Sequence, residues 1–182
     1  GVGVNVFEDL TSGDNNSAFG FNALTNITTG SDNTAIGRTT LVATTTGSNN
    51  TAVGSIALNV NTGDNNTAVG KSALAANTSG SSNVAIGGIA LDAITTSSDN
   101  TAVGHEALTN ATSGAGNTAL GKGTMTAVVT GSDNTAVGRY ALSANTSASN
   151  NVAVGQNALV ANNTGARNTA VGQSALSANL GG

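Results

Sequence analysis

The chain has 182 residues, with 8% charged, 2% aromatic, 25 Gly, a formal net charge of -4, and neither Pro nor Cys. An ordinary soluble domain is about 25% charged, and a chain without Cys holds no disulfide framework, thiolate metal site or cysteine nucleophile. Five Lys and Arg make no basic footprint for a nucleic acid, and no apolar run approaches the roughly 18–20 residues of a membrane span.

The sequence is a repeat from end to end. With Thr34 as position 1, Gly37 is position 4 and Asn50 is position 17. Units begin near residues 17, 34, 51, 67, 84, 101, 118, 135, 152 and 169, and residues 1–182 read as one array. The spacing is 17, except for 16 between Gly54 and Gly70. Each unit is too small to bury its own apolar face, so units must stack, and each column must suit a neighbour like itself. The composition also argues against disorder: 38% of residues are hydrophobic and the charge is small.

Along a unit, the first element is a strand such as Asn50-Thr51-Ala52-Val53-Gly54. Successive strand side chains point to opposite faces. Ala52 is assigned to a narrow interior and Val53 to the outside. The outward column is Phe19, Ile36, Val53, Val69, Ile86, Val103, Leu120, Val137, Val154 and Val171, preceded by Val2. Such an apolar stripe predicts an interface, here a contact between chains.

Position 4 follows, with Gly3, Gly20, Gly37, Gly54, Gly70, Gly87, Gly104, Gly121, Gly138, Gly155 and Gly172. Glycine in every unit predicts a corner or a close backbone approach. Next comes an Ala-Leu pair, as in Lys71-Ser72-Ala73-Leu74-Ala75-Ala76-Asn77. It is read as a second short strand, with a single helical turn as the alternative.

The unit closes with a loop such as Gly30-Ser31-Asp32-Asn33. Here Gly is expected at positive φ and Asn or Asp on nearby backbone. Position 14 is Gly in nine of eleven units, with Ser97 and Ala148 as exceptions. Position 17 is Asn33, Asn50, Asn66, Asn83, Asn100, Asn117, Asn134, Asn151 and Asn168, after Asn16. These are expected to form a ladder of side-chain amides. The chain enters at position 2 and stops at position 14, and no unit reads as a cap. That predicts a segment of a longer fibre.

Charges fall in columns. Arg38, Lys71, Lys122 and Arg139 hold position 5, and Asp14, Asp32, Asp64, Asp99 and Asp133 hold position 15 or 16. They predict separate stripes on the rod. The basic stripe has a functional reading, recognition of acidic host glycans or a host protein, and a plain one, solvated surface. His105 and Glu106 read as exposed polar residues, so no catalysis, cofactor or metal is expected. The calcium-binding nonapeptide of some solenoids is absent. Sequons such as Asn26-Ile27-Thr28 and Asn77-Thr78-Ser79 are expected by chance in a chain this rich in Asn and Thr.

The run Asn66-Thr67-Ala68-Val69-Gly70, repeated as Asn33-Thr34-Ala35-Ile36-Gly37 and Asn83-Val84-Ala85-Ile86-Gly87, resembles the head repeats of trimeric autotransporter adhesins. T-A-V-G-x-x-A-L repeats are also similar to segments of bacteriophage tail-fibre and related virion proteins. The resemblance implies a left-handed parallel β-roll, three chains side by side, and surface attachment. The adhesin units are shorter, nearer fourteen residues, and lack the added A-L-x-x-N segment.

The reading is therefore all-β: a parallel β-solenoid of about eleven 17-residue coils, packed as a side-by-side homotrimer. Its expected role is a structural or adhesive fibre segment, extracellular, at a cell surface or on a virion. A self-assembling filament or matrix subunit is the first alternative. An ice-binding solenoid, using the Thr column at position 1, is the second.

Overall fold

A computed structural model describes residues 1–179. Gly182, the last glycine expected at position 14, lies outside the described residues. The protein is all-β, a parallel β-solenoid. Ten three-residue strands follow in order: β1 Ser17–Phe19, β2 Thr34–Ile36, β3 Thr51–Val53, β4 Thr67–Val69, β5 Val84–Ile86, β6 Thr101–Val103, β7 Thr118–Leu120, β8 Thr135–Val137, β9 Val152–Val154 and β10 Thr169–Val171. Each pairs in parallel with the next, so one sheet runs β1 to β10 without a crossover. The strands bound nine turns, and a parallel bridge from Val2 to Phe19 adds an earlier pass.

Register never slips. Thr34, Ala35 and Ile36 sit on Thr51, Ala52 and Val53, and these sit on Thr67, Ala68 and Val69. The shortened coil lies between β3 and β4, so the lost residue is absorbed in the loop.

Each strand stops at its position-4 glycine for two reasons. Gly54 has φ +135°, a region closed to side chains. A Cβ there would also sit 2.5 Å from the Gly70 carbonyl oxygen one coil on. Position 14 is different. Gly30 does not have positive φ; Asp32, two residues later, does, at +59°. The expectation that glycine supplies the loop's left-handed residue is corrected. A Cβ on Gly30 would run into the Gly47 carbonyl oxygen, so glycine lets the coils approach closely here, and the coils must shift where Ser97 or Ala148 takes its place.

The Ala-Leu segment is neither strand nor helix; among the described residues there is no helix. In one coil Ile56 and Leu58 lie at φ +65° and +48°, while Ala57 between them does not have positive φ. Consecutive strand residues point to opposite faces, yet Ala57 and Leu58 are both fully buried. Alternating the sign of φ lets both side chains face inward. The Leu58 N–H still points along the stack, to the Ala73 carbonyl at 3.1 Å. Each left-handed residue costs about 1–2 kcal/mol. Burial of Ala57 and Leu58 and the Leu58 N–H bond to the next coil offset that cost.

The interior is therefore built from columns. Ala52 and its equivalents line it from the strand side, and Ala57 and Leu58 from the opposite side. The asparagines of position 17 close it. Asn50 donates from its backbone N–H and from Nδ2 to Asn33 Oδ1, at 3.0 and 3.1 Å. Its Nδ2 also donates to the Gly63 carbonyl at 2.9 Å. Asn66 N–H then donates to Asn50 Oδ1 at 3.0 Å. The same backbone-to-amide step runs from Asn16 through Asn168.

Candidate interaction face

The strand gives the rod one regular outward face. Position 2 is buried throughout, so positions 1 and 3 point away from the core. Position 3 is exposed at Phe19, Ile36, Ile86, Leu120 and Val171. It is half-buried at Val53, Val69, Val103, Val137 and Val154. Beside it stands the position-1 column, Thr in seven of ten strands, with Ser17, Val84 and Val152. Parallel strands stack about 4.7–4.9 Å apart, so the face is a lattice two side chains wide and ten strands long.

The stripe is widest at one end. Phe21 at position 5 is exposed next to Phe19, and Val2 and Val4 lie exposed beneath them. Further along, position 5 becomes basic, with Arg38, Lys71, Lys122 and Arg139 all exposed. The acidic column flanks the strand on its other side, at position 16 for Asp32, Asp99 and Asp133 and at position 15 for Asp14 and Asp64. The two charged columns are thus the two borders of a single face. Arg139 lies 4.8 Å from the centroid of the Tyr140 ring. That ring covers Gly123, the coil with no side chain at position 6.

Other polar groups are local. His105 Nδ1 lies 3.6 Å from Glu106 Oε2, with the two side chains 55% and 41% exposed. Among the described residues, no group of three His, Asp or Glu is placed to hold a metal ion. Asn77, one of the sequon asparagines, is buried and bonded at both ends of its amide.

Comparison with protein-family models, curated proteins and solved structures finds no match to this chain. The geometry itself is therefore the ground for any functional reading. The glycine and asparagine columns lie at corners and inside the stack, where they hold the rod together. The position-3 column lies outside, on the face with Thr and the two charged borders. In the sequence the Thr column reads only as a possible ice lattice. Its placement beside position 3 follows from the two-residue alternation of the strand.

Proposed function

We propose that this chain is a rigid spacer or adhesive segment of an extracellular fibre, at a cell surface or on a virion. Copies pack side by side, three to a shaft, through the position-3 stripe. The reading is of a non-enzymatic protein that needs no cofactor; binding to a host glycan or protein takes place on the rod or at its tip. The observation that carries it is the constant register of nine successive strand pairings with an unbroken asparagine ladder beneath. Extending such a rod along its axis requires breaking every bond of one coil together. At about 4.8 Å per coil the array spans about 50 Å.

Negative-stain imaging tests the reading. Straight rods of constant width are expected, and compact globular particles would contradict it. A second reading draws on the Thr column standing on the same outward face: a free, weakly charged lattice that orders water. A thermal-hysteresis assay separates the two. Strong hysteresis from a monomer replaces the fibre reading.

A further inference from the structure

The two charged borders of the strand face match level by level. β2 is preceded by Asp32 and followed by Arg38, and β4 by Asp64 and Lys71. β6 lies between Asp99 and His105, and β8 between Asp133 and Arg139. All eight side chains are exposed. None pairs with its counterpart across its own face: the acid–base contact among the described residues is His105 with Glu106. The strands between are neutral on the acidic border, and β3, β5 and β9 are followed by Ser55, Gly88 and Gln156. Three charges lie outside the pattern: Asp14 before β1, Lys122 after β7 and Arg167 before β10.

Two such faces can meet in two ways. A rotation axis across the rod sets the copies antiparallel and leaves each border facing itself, acid on acid and base on base. An axis along the rod sets them parallel and exchanges the borders, acid on base. A three-fold axis along the rod makes the same exchange. We propose that the partner of the strand face is a second copy of this chain, parallel and without stagger, aligned by this alternate-coil charge code. The inference rests on the side-by-side packing read above and adds its direction and register.

In that arrangement Asp32 of one copy meets Arg38 of the other, Asp64 meets Lys71 and Asp133 meets Arg139, while Asp99 meets His105, a charged partner only when protonated. A slip of one coil leaves Asp14 opposite Arg38 and Asp99 opposite Lys122 on one border, and only Asp133 opposite Lys122 on the other. A slip of two coils keeps three matches on each border but uncovers two coils of the apolar stripe. Closed symmetry about the rod axis also forbids stagger. Each pair is exposed and individually weak. The code therefore selects direction and register, while the apolar stripe supplies the adhesion.

The absence of Cys makes the test direct. Val154→Cys and Ile36→Cys chains are prepared separately and treated with a short bis-maleimide, alone and mixed. The proposal expects each variant to link to itself, and the mixture to yield no Ile36→Cys to Val154→Cys product. That mixed product would mean antiparallel packing and overturns the proposal. In parallel, Asp32, Asp64, Asp99 and Asp133 are all changed to Lys. Self-association at low salt is expected to weaken roughly tenfold. Adding Arg38→Glu, Lys71→Glu, His105→Glu and Arg139→Glu restores it, because the borders again differ in sign. An assembly indifferent to both sets overturns the charge code while leaving side-by-side packing intact. A wild-type chain that sediments as a monomer at every concentration removes the packing itself, and this inference with it.

Discussion

Two asparagine columns run through the interior, and they obey different rules. At position 17 every residue from Asn33 to Asn151 is Asn and fully buried. At position 11 the buried residues are Ile27, Thr44, Asn61, Asn77, Ile94, Ala111, Val128, Asn145 and Asn162. The difference lies in where the hydrogen bonds go. Asn83 Oδ1 accepts the backbone N–H and the Nδ2 of Asn100 in the next coil, at 3.0 and 3.3 Å. Changing one such residue strands donors that belong to another coil. Asn77 bonds the backbone of its own turn, donating from Nδ2 to the Gly80 carbonyl at 2.9 Å and accepting the Gly80 N–H at 3.1 Å, and its Nδ2 also donates to Asn61 Oδ1 in the neighbouring coil at 2.7 Å. That turn closes without it elsewhere, so an apolar residue can take its place. A column that satisfies a backbone N–H of the next coil stays constant; one whose backbone partner lies in its own coil can vary.

The glycine columns extend the comparison and give the largest expected effect. Gly104 has φ +136°, and a Cβ on it would lie 2.5 Å from the Gly121 carbonyl oxygen. Gly104→Ala should cost at least about 3 kcal/mol or abolish folding. Gly114→Ala, at position 14, should cost about 1 kcal/mol, because Ser97 and Ala148 already carry a Cβ at the equivalent place. Urea titrations followed by circular dichroism measure both. Equal costs would remove the distinction between a φ constraint and a close approach.

The asparagine columns come next. Asn83→Ala leaves the buried Asn100 backbone N–H without its acceptor and removes one of the two bonds of its Nδ2, and should cost about 2–4 kcal/mol. Asn77→Ile loses the acceptor of the Gly80 N–H but buries an apolar side chain as Ile27 and Ile94 do, and should change stability by less than about 1.5 kcal/mol. A ladder loss no larger than the position-11 change would sink the rule drawn above. Position 6 gives a smaller effect of opposite sign. Ile89 is β-branched and left-handed, at φ +51°, and Ile89→Asn should raise stability by about 0.5–1 kcal/mol.

The smallest expected effect depends on pH. Desolvation by burial raises the Asp92 carboxyl above its usual value, although a backbone hydrogen bond opposes the shift. A carboxyl with a raised folded pKa destabilises the fold as pH rises through that value. Asp92→Asn should therefore raise the melting temperature slightly at neutral pH. The gap should close below the unfolded carboxyl range near about 3.9. A gap that widens in acid would contradict the assignment.

Much of this was legible in the sequence, for a physical reason. Where a side chain touches its own copy in the next coil, the column repeats, and the Ala, Gly and Asn columns stand out by inspection. The Ala-Leu segment was not legible as what it is. Left-handed residues are ordinarily announced by Gly, Asn or Asp. Here Leu58, Ile56 and Tyr140 adopt that conformation, held by burial and by bonds to neighbouring coils. Position 16 did carry the usual signal, in Asn15, Asp32 and Asn49. The charged columns were visible as two stripes, but their place on either side of one face needed the strand register.

The central claim is that the position-3 stripe joins parallel copies into a shaft. Sedimentation equilibrium of the wild-type chain and of a Val69→Asp, Val103→Asp double variant tests it most directly. Both residues are half-buried on the outward face, so the fold of each coil should survive the change. The account predicts a wild-type trimer and a folded monomeric variant. A variant that remains trimeric would contradict it.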